Sequence, residues 1–134
     1  MKRLLIVTAI IESGAGLALL CCPSPVVALL LGSPLDTLAA AALGRLAGAA
    51  LLALGVACWL AKHDAQSCAA RGLIAAMTIY NLGAVVILGA AGIWSHLVGV
   101  ALWPAVGVHV MMTIWCFTTL LRKQALPSCQ QQPK

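Results

Sequence analysis

Apolar residues run along this chain in four long stretches, and the short segments between them hold nearly all of its charge. The first stretch covers residues 4–22. At 1.5 Å per residue it is roughly 28 Å long, which matches a hydrocarbon core of about 30 Å. Pro23-Ser24-Pro25 stops it, because proline lacks the N–H that a helix interior requires. The second stretch is predicted over residues 34–61. Ser33 as N-cap, Pro34 in the first turn and Asp36 three positions on form a capping-box-like start. Lys62 and His63 then follow, where cations complement the negative end of the helix dipole. The third is predicted over residues 72–91. The fourth runs over residues 96–121 and is closed by Arg122, Lys123 and then Pro127. The apolar piece from Val26 to Leu31 is too short to span and reads as a short interfacial segment. Residues 124–134 read as a flexible cytoplasmic tail.

Composition confirms that these stretches belong in lipid. Of 134 residues, 63% are hydrophobic and 8% charged, against about 45–50% and about 25% in soluble domains. So little charge cannot cover a water-facing surface, which excludes a soluble enzyme domain. Disorder is excluded too, since disordered chains are poor in apolar residues. The six cysteines sit in or beside apolar runs and lack the spacing of a disulfide framework. The fold class that follows is all-α: a polytopic membrane protein built as an antiparallel four-transmembrane-helix bundle.

Eight Lys and Arg against three Asp and Glu give a net charge of +5. The bases do not form the patch that nucleic acid would need. Lys2 and Arg3 precede the first stretch, Lys62 and Arg71 lie between the second and third, and Arg122, Lys123 and Lys134 follow the fourth. The other two connections, Pro23 to Ser33 and Gly92 to His96, contain neither Lys nor Arg. Under the positive-inside rule both termini then lie in the cytoplasm. Met1-Lys2-Arg3 ahead of an apolar run also fits a cleaved signal peptide. Glu12 in the middle of that run and bulky Leu20 before Cys21 speak against cleavage.

Helices in lipid associate by close backbone approach and buried polar contacts. Every span offers small residues for this, most clearly Gly44-x-x-x-Gly48 and Gly55 in the second. Such a stripe serves either packing within the chain or a dimer interface. Trp59, Trp94, Trp103 and Trp115 stand near span ends, as interfacial anchors do. A faint repeat also shows: Glu12-Ser13-Gly14-Ala15 and Asn81-Leu82-Gly83-Ala84 each place a polar residue two positions before Gly-Ala. The partner spans end in Cys58-Trp59 and Trp115-Cys116, which suggests two similar halves.

Candidate chemistry lies in the polar residues inside the spans, because each is costly there unless partnered. Glu12, Arg45, Asn81 and His109 form this set. Counted from the predicted inner ends, Glu12 and Asn81 lie roughly 12 Å deep, His109 about 18 Å and Arg45 some 20–24 Å. They are expected to converge as an intramembrane polar cluster. One form is a buried Glu12–Arg45 ion pair bridged by Asn81 or His109; another is a proton-linked binding site. His63, His96 and His109 lie at different depths and cannot share one haem iron. Thiolates bind soft metals, so Cys21, Cys22, Cys58 and Cys116 offer an alternative metal ladder, with Cys68 and Cys129 beyond it. Cysteine is also simply a small buried apolar residue. No HExxH, GxSxG or glycine-rich phosphate loop is present, so neither catalysis nor a cofactor is expected.

The stretch Arg45-Leu46-Ala47-Gly48-Ala49-Ala50-Leu51-Leu52-Ala53-Leu54-Gly55, after Leu30-Leu31-Gly32-Ser33-Pro34-Leu35, resembles small four-helix bacterial inner-membrane proteins, broadly DoxX-like and mostly of unknown function. The resemblance implies a four-span fold in a bacterial inner membrane and carries over no catalytic residue. Two functions are expected from the whole reading. One is a non-enzymatic accessory subunit of a larger membrane complex, with the lipid bilayer and other membrane subunits, or itself, as partners. The alternative is a small transporter or carrier of a soft metal ion or a proton-linked solute.

Overall fold

The computed structural model describes residues 1–123 of the chain; the predicted tail, residues 124–134, lies outside them. Within those residues the chain is helical and contains no strand. The helices are α1 (Lys2–Cys21), α2 (Pro23–Leu31), α3 (Leu38–Ala61), α4 (Cys68–Trp94) and α5 (Leu102–Lys123), with a single 3-10 turn at Lys62–Asp64. Four of them, α1, α3, α4 and α5, are long and apolar enough to cross a membrane. The short apolar piece after the first span is the helix α2, which takes Pro23 into its first turn. It ends at Gly32, whose φ of 80° is the left-handed conformation that a side chain would disfavour.

Four boundaries differ from those the sequence predicts by three residues or more, and capping explains two of them. Ser33 is not a cap: α3 starts at Leu38, where the Thr37 hydroxyl accepts from the Ala40 N–H at 3.0 Å. Pro34 stays in the connection, whose Leu35 N–H is held by the Ser24 hydroxyl of α2. Ser67 caps α4 by accepting from the Ala70 N–H at 3.1 Å, so the helix begins at Cys68 and not at Gly72. It also runs on to Trp94. The last span starts at Leu102, because residues 95–101 form a connection in which His96 adopts φ 51°.

The long helices pack in two pairs, α1 with α3 and α4 with α5. Glycine sets the first pair. A Cβ on Gly16 would stand 2.6 Å from the Leu52 nitrogen and 2.7 Å from the Gly48 carbonyl, while one on Gly48 would stand 2.8 Å from the Gly16 carbonyl. Gly55 likewise lies against Ser13 and Ala9, and Gly44 against Pro23 and Leu35. The α3 glycines are therefore used inside the chain, where helix backbones meet with no side chain between them.

The two pairs join through one buried cluster at the end of the bundle near Met1. Leu4, Leu5 and Ala9 of α1, Cys58 of α3, Ile74 and Met77 of α4, and Met112 and Cys116 of α5 compose it. At the opposite end α2 ties the pairs together. The Ala101 N–H donates to the Leu29 carbonyl at 3.0 Å, and Gly99 lies flat against Leu29 and Leu30. Outward faces are apolar, with Ile10, Leu43, Leu46, Ile79, Ile87 and Met111 exposed, an arrangement suited to acyl chains and unsuited to water.

Replacing Gly16 or Gly48 with valine should cost about 1–3 kcal/mol by overpacking. Gly72 and Gly107, where an added Cβ would meet nothing within 4 Å, should accept alanine without loss. Melting temperatures of the four variants in mild detergent check this. Equal effects at both kinds of position would rule out the close α1–α3 approach.

Candidate functional site

The bundle is solid at one end and hollow at the other, with polar side chains at the boundary. Going along α1 from Met1, the buried positions are Leu4, Leu5, Thr8, Ala9, Glu12 and Gly16; along α4 they are Ala70, Ile74, Met77 and Asn81. Beyond Glu12 and Asn81 a cavity of about 790 Å³ opens between the two helix pairs. Its walls are apolar: Ala15 and Leu19 of α1, Leu51 of α3, Ala84 and Leu88 of α4, and Ala105 of α5. Val26, Leu29 and Leu30 of α2 close the far end. Exposed Ile11, Ile79 and Ile87 stand on the α1 and α4 walls, so the cavity opens sideways between those helices. Only three of its lining residues are polar: Glu12, Tyr80 and His109.

Their geometry assigns a hydrogen-bond pattern. The Asn81 amide group donates to the Met77 carbonyl of its own helix at 2.7 Å, which leaves Asn81 Oδ1 as an acceptor. His109 Nδ1 lies 2.8 Å from that oxygen, so Nδ1 carries the proton. In the neutral ring Nε2 then keeps its lone pair. Nε2 has no hydrogen-bond partner among the described residues and is not buried, consistent with a ring that lines the cavity. Tyr80 meets the same imidazole edge-on, with ring centroids 5.7 Å apart and planes at 81°. Tyr80 lines the cavity together with Glu12 and His109. Glu12 is 4% exposed and Asn81 1%, so both depend on partners from the chain.

The structure thus brings Glu12, Asn81 and His109 together but not Arg45. Arg45 is exposed and forms no ion pair among the described residues. Two facts separate it from Glu12. Gly55 is the α3 residue level with Ser13 and Ala9, and Arg45 stands ten residues away from it, about 15 Å along the axis. It also follows Gly44 by one residue, a rotation of about 100° that carries it off the packed stripe. With α3 starting at Leu38, it lies roughly 10 Å from the helix end, where its side chain can extend toward the interface.

Tyr80 is the residue that sequence reasoning missed. It is the sole tyrosine of the chain and lies mid-span beside Asn81, away from the interfacial belt where tyrosine usually sits. That displacement was the available signal. The four cysteines of the alternative metal ladder do not gather. Cys21 and Cys22 are exposed at one end of α1, while Cys58 and Cys116 are buried in the cluster at the other end. Among the described residues no group of three His, Cys, Asp or Glu side chains could hold a metal ion. Cys129 lies outside them.

Asn81→Leu should leave the His109 Nδ1–H without its acceptor, at a cost of about 1–3 kcal/mol, and release the ring to both tautomers. Nitrogen NMR of the labelled imidazole reads this directly. A wild-type ring protonated on Nε2 would refute the assigned pattern. Comparison with protein-family models, with curated proteins and with solved structures found no match to this chain.

Proposed function

We propose that this protein is a membrane-embedded carrier that takes a small, largely apolar molecule into its side-opening cavity and holds the polar head of that molecule at Glu12, Tyr80 and His109. The observation that carries this reading is the cavity itself: about 790 Å³ with apolar walls and three polar residues converging at one end. Binding sites for small molecules have this character, a concave apolar volume with few oriented polar groups. In a bilayer, an opening between α1 and α4 lets the molecule enter without leaving the acyl phase. Carriage accounts for the site better than a purely structural subunit role. The glycines that prompt an association reading are occupied within the chain, at Gly16, Gly48 and Gly55. The role is non-catalytic.

In this reading the four spans run antiparallel in a bacterial inner membrane, with both termini cytoplasmic. Lys2, Arg3, Lys62 and Arg71 then lie at the cytoplasmic surface, where Lys62 Nζ sits 2.8 Å from the centroid of the Trp59 ring.

The carrier reading is tested with Gly83, which lines the cavity and whose added Cβ would meet nothing within 4 Å. Gly83→Leu fills that space and should keep or raise the melting temperature, by about 0.5–1 kcal/mol of helix propensity. Native mass spectrometry in mild detergent should find one small molecule retained per wild-type chain and none on the variant. Equal retention would sink the reading. Orientation has its own check: a membrane-impermeant maleimide applied to intact cells should label wild type through exposed Cys21 and Cys22, and should fail on a Cys21→Ser/Cys22→Ser variant. Wild type that resists labelling would place the termini outside.

A further inference from the structure

Granting the carrier reading, the groups at the head of the cavity specify the charge of the molecule held there. We infer that the occupant is a lipophilic organic cation, an apolar body bearing one ammonium or onium group. Three observations combine. First, Glu12 is the only carboxylate in the lining, and no Lys or Arg lines the cavity. Arg45, the one base inside the predicted spans, is exposed and forms no ion pair with it among the described residues. Second, the groups turned to the cavity accept hydrogen bonds. Nδ1 of His109 spends its proton on Asn81, which leaves the Nε2 lone pair as an acceptor, and the Glu12 carboxylate accepts as well. Third, Tyr80 and His109 line the cavity together with Glu12, their rings 5.7 Å apart and nearly perpendicular, so aromatic rings and an acid border the same space.

This set discriminates among the molecules a bilayer can supply. An anionic head, such as a fatty-acid carboxylate or a lipid phosphate, would meet the Glu12 carboxylate with no Lys or Arg in the lining to receive it, and like charges in low dielectric repel strongly. A neutral carbonyl-bearing head would leave the Glu12 carboxylate without a counter-charge. A cation matches every element: the carboxylate compensates its charge, Nε2 accepts from an N–H where there is one, and the aromatic ring attracts it through its quadrupole. The apolar walls take the rest of the molecule.

The test uses three probes of similar size and shape: tetraphenylphosphonium as cation, tetraphenylborate as anion and triphenylphosphine oxide as neutral. Binding to the purified full chain in mild detergent is measured for wild type, Glu12→Gln, Glu12→Asp and Gly83→Leu. The expected result is that the cation binds wild type about tenfold or more tightly than either other probe, a difference of one charge interaction. Glu12→Gln should erase that preference, Glu12→Asp should keep it, and Gly83→Leu should weaken cation binding. The three-probe comparison on wild type stands alone if Glu12→Gln does not fold. If the three probes bind alike and Gly83→Leu weakens all of them, the charge assignment is overturned while the cavity still works as a binding site. If no probe binds, or Gly83→Leu changes nothing, both the assignment and the carrier reading fall.

Discussion

A bilayer supplies neither water nor counter-ions to the space between helices, so every polar side chain placed there must be satisfied by the chain itself. Asn81 shows how one residue meets that demand for two others. Its amide group is held by the Met77 carbonyl of the preceding turn, and its oxygen receives the His109 Nδ1–H from the neighbouring helix. Through these two bonds α4 and α5 are fixed in register and the imidazole is fixed in orientation. The hydroxyls follow the same rule more locally: Thr78, Thr113 and Thr119 each donate to a carbonyl one turn back on their own helix. Beside this arrangement Tyr80 meets the His109 ring edge-on, and both line the cavity with Glu12.

The second constraint is steric. Lipid gives helices no hydrophobic reason to associate, so contact area has to come from small residues. The chain spends its glycines unevenly. Gly16, Gly48 and Gly55 bring the backbones of α1 and α3 together, whereas Gly83 of α4 stands open on the cavity wall. One pair is consequently tight, and the space between pairs remains unfilled where side chains shorten to Ala15, Ala84 and Ala105.

The spans were legible from hydropathy alone, because a twenty-residue apolar run has few alternatives. Their ends were not. Ser33-Pro34-Leu35-Asp36 has the look of a helix start, but Thr37 and Ser67 are the hydroxyls that actually receive the first-turn N–H groups. The choice among nearby capping residues is settled by how α2 and the connection pack, which a linear pattern does not contain. Within the site, depth counting brought Glu12 and Asn81 to one level and His109 to within about one helical turn of it, since each depends on a single helix of known rise. It failed for Arg45 because the pairing register of α3 on α1, set by Gly48 against Gly16, decides which α3 residue stands beside Glu12. Tyr80 was overlooked because a lone aromatic in an apolar run reads as packing until the cavity it lines is seen.

The stitch between α2 and the segment before α5 has a mechanical consequence. The Ala101–Leu29 bond and the contact of Gly99 with Leu30 make the ceiling of the hollow a shared piece, anchored to both helix pairs. With the buried cluster acting as a fixed pivot at the other extremity, the two halves resemble the arms of a clothes-peg whose spring is a single peptide contact. In the proposed carrier, sideways access for a guest is then governed by a backbone junction far from the acid that greets it.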